Sequence, residues 1–308
     1  MTKSLDEIGS TVKVPGDLDV PTKSDRRRGG LIYARLLRVV HTPTGLLGAI
    51  IVLVIVVMAL AAPIIAPYNP LRIFSGSELV GPSGKFLLGT DPIGRDILSR
   101  LIFGSRPALE VGILAVLIGG FGGVVFGLVT GYRGGVIDAI FGRFWDALFG
   151  LPAVLLAIAL AAVLGPSDRT VAIAVGIATM PTFARLARAS AIREREQEYV
   201  VACVAMGAND RSIVFRHILP NSVGPLLVQA AYSMSLAVVM QAALSYLGLG
   251  SRPPAASWGS MMANSQQYLS QAPLYGIMPG VILTVLVIGL NLLADGIRNA
   301  FDARSDSR

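Results

Sequence analysis

The chain has 308 residues, of which 53% are hydrophobic and 15% charged, with a mean hydropathy of +0.66. This excess over a soluble domain, with its long uncharged runs, makes a bilayer the solvent for most of the chain. The single cysteine, Cys203, excludes an internal disulfide, two distant histidines, His41 and His217, give no metal-ligand spacing, and the net charge of +7 fits basic cytoplasmic loops, not a nucleic-acid partner.

Residues 1–44 are polar and end in Arg26, Arg27, Arg28, Arg35 and Arg38. They read as a disordered cytoplasmic tail leading into an uncleaved span, because the first apolar run begins near Gly45 and exceeds signal-peptide length. Six spans are expected, at 45–66, 107–131, 145–165, 170–190, 222–247 and 277–297. An even number puts both termini on one side, and the Arg-rich tail makes that side the cytoplasm. Segment 132–144 and the loop 191–221, with Arg193, Arg195, Arg211 and Arg216, then face inward, while loops 67–106 and 248–276 face outward. The transmembrane domain is expected over 45–300, with 301–308 a short cytoplasmic tail. Loop 67–106 runs against the positive-inside rule, carrying Arg72, Lys85, Arg95, Arg100 and Arg106; the topology rests on the other loops.

The second span has a glycine every fourth residue, Gly119, Gly123, Gly127 and Gly131. Such a stripe lets another helix backbone approach closely. Near the bilayer midplane the spans offer only Gln229, Gln241, Ser233, Ser235, Ser245 and Asn291. Proton relays need ionisable groups there, so a proton-driven carrier is disfavoured. Nor does the chain supply its own ATP site. The stretch GPSGKF, 81–86, has Leu79 where a Walker loop needs glycine and Phe86 where it needs Ser or Thr.

Residues 198–220, EYVVACVAMGANDRSIVFRHILP, interrupt the apolar pattern. They read as two short helices hinged at Gly207-Ala208 and stopped by Pro220. Tyr199, Ala202, Cys203 and Met206 form one apolar face of the first. Asn209 or Asp210 caps the second, which carries Ile213, Phe215 and Ile218. By physics alone this pair could lie on lipid headgroups or dock to a protein; the small residues Ala202, Gly207 and Ala208 favour protein.

The segment resembles the coupling loop of ABC-type importer permeases, whose signature is Glu-Ala-Ala, three residues, Gly, nine residues, Ile, one residue, Leu-Pro. Ala202, Gly207, Leu219 and Pro220 match in register, while Val201, Cys203 and His217 depart from it. The departures resemble the dipeptide, oligopeptide and nickel importer branch. Similarity extends through LLGTDPIGRDILSRLIFGSR (Asp91, Arg95, Asp96), GGVIDAIFGRFWDALFGLP (Asp138, Asp146), YLGLGSRPPAASWGSMM (Trp258) and NLLADGIRNAFDAR (Asn291, Asp295). Together these resemble the second, C-type permease subunit.

The resemblance implies an all-helical type I importer permease with six transmembrane helices and a cytoplasmic coupling helix. It implies di- or oligopeptide transport, with nickel or another small solute as the alternative. The implied partners are a homologous permease, two cytoplasmic ATPases and an extracytoplasmic substrate-binding protein. ATP and magnesium would sit on the ATPases, leaving this chain non-enzymatic and without a cofactor. Residues 198–220, Asp210 among them, would dock on an ATPase. The remaining motif charges read as scaffold. Asp138, Arg143 and Asp146 would make ion pairs at span boundaries, Asp295 and Arg298 would pair along one helix, and Asp91, Arg95 and Asp96 would brace a surface helix. Trp258 reads as a membrane-interface anchor.

Overall fold

The computed structural model describes residues 37–302, and every regular element among them is helical. Most of the expected N-terminal tail and residues 303–308 lie outside the described residues. The first long helix, α1, spans Pro43–Leu60; Pro43 occupies its first turn, and the Thr42 hydroxyl accepts from the Gly45 amide at 3.2 Å. A short α2, Ala62–Ile65, ends it. After an extended loop, α3 (Ile97–Phe103) and α4 (Ser105–Arg133) follow each other across Gly104.

Helix α5 (Gly135–Phe149) and α6 (Ala153–Leu164) meet at an 84° bend. This corrects the expected straight span over 145–165. The helix starts ten residues earlier, and the chain turns at Gly150–Pro152, where proline removes a donor and pushes its predecessor out of the helical region. Then come α7 (Asp168–Arg195), α8 (Glu198–Ala205), α9 (Asp210–Ser212), a π-helical turn (Ile213–Ile218), α10 (Leu219–Tyr246), α11 (Trp258–Ser265) and α12 (Pro273–Asp302).

Five stretches are long and apolar enough to cross a membrane, and the bent pair makes a sixth. The register of α4 and α7 decides how the bent pair counts. A Cβ on Gly119, Gly123, Gly127 or Gly131 would strike the carbonyl oxygens of Gly176, Met180, Ala184 and Arg188 in turn. Both series rise together in steps of four, so the two helices run parallel with their backbones in contact. The chain must therefore return between 133 and 168, and it does so through α5 and α6. Six crossings result.

A second small-residue seam joins α1 to α12. A Cβ on Gly48 would strike the Gly289 oxygen, and one on Gly296 would meet Gly45. This pair is antiparallel, so α1 begins and α12 ends on the face where α4 and α7 end. Residues near both described ends thus share a face with segment 198–221.

At the opposite end, loop 67–96 is held by buried charge. Asp91 is fully buried, accepts from the amides of Ile93 and Arg95, and pairs with Arg95 Nε at 2.6 Å. Arg100, 2% exposed, lies 3.7 Å from the same carboxylate and donates to the carbonyls of Pro70 and Pro254. Asp96 caps α3 through the Ser99 amide. Arg106 Nε donates to the Ala59 oxygen at the end of α1, while Arg72 and Lys85 lie over the Phe74 ring. The five basic residues that run against the positive-inside rule are thus engaged within the loop architecture.

Two scaffold expectations are corrected. Trp258 is no interface anchor: it is fully buried against Gly104, and its Nε1 donates to the Leu101 oxygen at 2.9 Å. Asp295 and Arg298 do not pair with each other. Both meet Tyr232 of α10, whose hydroxyl donates to Asp295 at 2.7 Å and whose ring lies under the Arg298 guanidinium. Their shared helix face points at a neighbouring helix, so the cross-helix partner wins over the local one.

Candidate coupling site

Helix α8 ends in a Schellman arrangement. The Ala208 amide donates to the Cys203 oxygen and the Gly207 amide to the Val204 oxygen, with Gly207 at φ +77°. Only glycine adopts that backbone at no steric cost, and a Cβ there meets nothing within 4 Å. Gly207→Ala should therefore cost about 1 kcal/mol through backbone strain, with no lost packing. Faster amide exchange over 198–208 in Gly207→Ala, with near-wild-type exchange in Gly207→Asn, is the expected result.

The expected apolar face of α8 splits in two. Tyr199 and Cys203 turn inward with fully buried Val200, packing on Ile213, Ile218 and α7. Ala202 and Met206 turn outward with Val201 and Val204; Met206 is 77% exposed. The helix is apolar on both faces, yet the protein covers only one. The result is a projecting tip, Val201, Val204 and Met206, followed by the open turn at Gly207.

The second expected helix is not separate, and Pro220 does not stop it. Asn209 is the cap, its side chain accepting from the Arg211 amide. The chain then continues through the π turn into α10 as one apolar stretch from Asp210 to Tyr246. Pro220 sits in the first turn of α10, where its missing amide is tolerated after the wider turn. Ile213, Val214 and Ile218 are buried, whereas Phe215 faces out at 44% exposure.

Three anchors fix this hinge to the long helices. The Tyr199 hydroxyl donates to Glu194 at the end of α7 and accepts from Asn221 of α10, which also donates to the His217 oxygen. Asp210 lies 3.4 Å from the Tyr132 hydroxyl and 3.9 Å from Arg133 at the end of α4. Cys203 Sγ meets His217 Nε2 at 3.9 Å, so two of the departures from the signature face each other. Leu219 and Ala208 close the packing. Tyr199 thus joins α8 to α7 and α10, and Asp210 joins the turn after it to α4.

Beside this hinge, α5 is tied to α7 by ion pairs. Asp138 receives both Nε and Nη2 of Arg188, and Asp146 pairs with Arg185 at 2.8 Å. These residues line a cavity with Arg143, which joins no ion pair among the described residues. Asn291, partly buried on α12, stands apart from these clusters, as do Asp91, Arg95 and Asp96 at the far end of α4. Glu194, Asn221 and the outward face of Val201 and Val204 were missed in the sequence. Their one signal was the all-round apolarity of VVACVAM.

Residues 123–307 match the family model described as the binding-protein-dependent transport system inner membrane component, and 36–82 match the N-terminal domain of oligopeptide transport permease C. The chain belongs to this permease family, in its dipeptide/oligopeptide C-type branch. The permease is 38% identical over 262 residues to the dipeptide transport system permease protein of Alkalihalophilus pseudofirmus, covering 85% of this chain and 86% of that one. It is 39% identical to the di/tripeptide transport system permease protein of Pseudomonas aeruginosa, over 86% of this chain and 89% of that one. The glutathione transport system permease protein of Pectobacterium atrosepticum is also 39% identical, over 83% and 85% of the two chains. In fold the permease resembles a chain of the inward-facing MetNI methionine ABC transporter, with TM-score 0.51 and 20% identity, covering 67% of this chain and 97% of that one. It is a multi-pass, all-helical membrane component of a transporter.

Proposed function

We propose that this permease forms half of the translocation path of an ATP-driven importer of di- or oligopeptides. The observation that carries the coupling role is the bare apolar tip of Val201, Val204 and Met206 on a hinge anchored to three crossing helices. The peptide assignment is supported by relatives named for dipeptide and di/tripeptide transport, which favour it over nickel or another small solute. The partners are a homologous permease, two cytoplasmic ATPases that bind ATP and magnesium, and an external binding protein; ATP hydrolysis belongs to the ATPases. Segment 198–221 and both chain ends face the cytoplasm, with loops 67–106 and 248–276 outside. ATP-driven closure of the ATPase pair moves the tip, and the hinge shifts the packed helices between two arrangements.

Gently solubilised, tagged permease from its native membrane should bring down a second permease and Walker-containing ATPases. Val204→Asp, which places a charge on the exposed face and touches no buried group, should lose the ATPases while keeping the second permease. Retention of the ATPases by that variant would sink the coupling assignment.

A further inference from the structure

At the end of the molecule opposite the coupling segment, a cavity of about 330 Å³ opens between the Asp91 loop and the α11–α12 region. Arg95 and Tyr275 line it, and exposed Asn264 and Gln267 flank it. Beneath it, the single Asp91 carboxylate is shared between two guanidiniums, Arg95 and Arg100. Arg95 commits Nε to Asp91, and its terminal nitrogens take no further partner among the described residues. Independently, Tyr275 is fully buried, and its hydroxyl makes no well-formed hydrogen bond, the Asn264 side chain lying close by but outside hydrogen-bonding geometry. A buried unpaired hydroxyl in a native fold calls for an explanation, and a ligand that accepts its proton supplies one.

We propose that this cavity is a carboxylate-binding subsite sized for the C terminus of a short peptide. A carboxylate only accepts hydrogen bonds, so it matches the open fork of Arg95, the Tyr275 hydroxyl and the amide donors of Asn264 and Gln267. The choice of peptide as the bearer of that carboxylate rests on the proposed function; the carboxylate chemistry rests on the cavity itself.

The test uses the full chain in lipid nanodiscs without partner subunits, titrated with N-acetyl-dialanine and, separately, with its C-terminal amide. Binding is followed by saturation-transfer NMR. The acid should bind at least about tenfold more tightly than the amide, and Tyr275→Phe should weaken the acid by a similar factor. The thermal midpoint of Tyr275→Phe should hold or rise, because the deleted hydroxyl makes no well-formed hydrogen bond within the protein. Equal binding of acid and amide, or wild-type binding by Tyr275→Phe, would overturn the proposal. So would the absence of acid binding alongside Tyr275-dependent binding of the purified external binding protein, which would assign the site to a protein carboxylate. The readout needs neither ATPases nor transport, so its failure is separable from failure of the importer assignment.

Discussion

Replacement of Asp91 by Asn should strongly destabilise the external loop. The carboxylate is fully buried and stands against Arg95 at 2.6 Å and Arg100 at 3.7 Å. Asparagine can still accept from the Ile93 and Arg95 amides, so the local turn survives. The charge does not, and the buried Arg100 guanidinium and the part-buried Arg95 are left without a counter-ion. Breaking a buried pair by removing one partner costs about 3–5 kcal/mol, which lowers a thermal midpoint by roughly 6–20 °C in a chain of this size. The comparison is Asp146→Asn. That carboxylate is 70% exposed and its Arg185 partner 49%, so its loss should cost at most about 1 kcal/mol. Thermal unfolding in a mild detergent measures both. Equal midpoints for the two variants would mean that the Asp91 cluster does not hold the loop.

The second large effect is expected in the glycine stripe. Gly127→Leu puts a branched side chain where even a Cβ would strike the Ala184 oxygen and come within 2.9 Å of the Ala187 Cβ. The obstacle is backbone, which cannot rotate away, so α4 must separate from α7 along its length. Overpacking of a side-chain core costs about 1–3 kcal/mol, and a displaced helix pair costs more. Gly120→Ala, whose Cβ finds only the Phe183 ring at 3.7 Å, should be neutral. Abundance of monodisperse protein, measured by fluorescence-detected size exclusion, should fall several-fold for the first and hold for the second. Normal abundance of Gly127→Leu would show that the two helices need not touch.

These contrasts also show how far the sequence was legible. Spacing alone exposed the stripe, because four glycines at every fourth position admit few other readings. It could not name α7 as the partner, since the carbonyl oxygens that receive the stripe have no side-chain signature. The α1–α12 seam was missed for a related reason: Gly48, Gly289 and Gly296 lie singly among apolar residues. The third span misled because hydropathy ignores direction, while Gly150 and Pro152 turn the chain by 84°. Trp258 and the loop arginines misled because their residue types usually mark a membrane surface. Here Trp258, Arg95, Arg100 and Arg106 are each held by a specific acceptor, the Leu101 oxygen, Asp91, the Pro70 oxygen and the Ala59 oxygen, while Arg72 lies over the Phe74 ring.

In the coupling segment, the signature positions were readable and the faces were not. Cys203 and His217 looked like independent departures from a pattern. In the fold they are neighbours, so the pair has the character of one local change in packing. The single apolar face drawn through Tyr199, Ala202, Cys203 and Met206 divides in the fold because α8 is apolar all round, and a helical wheel cannot tell which side the protein itself covers.

The most direct test of the central claim is ATP-dependent dipeptide uptake by the reconstituted complex in sealed vesicles. ATP is supplied to the face that carries residues 198–221, and the binding protein and labelled dipeptide to the other. Wild-type permease should accumulate peptide only with ATP. Met206→Glu, charged at an exposed position, should lose uptake while its thermal midpoint stays unchanged. Uptake that runs without ATP on an imposed proton gradient, or that survives Met206→Glu undiminished, would contradict the account.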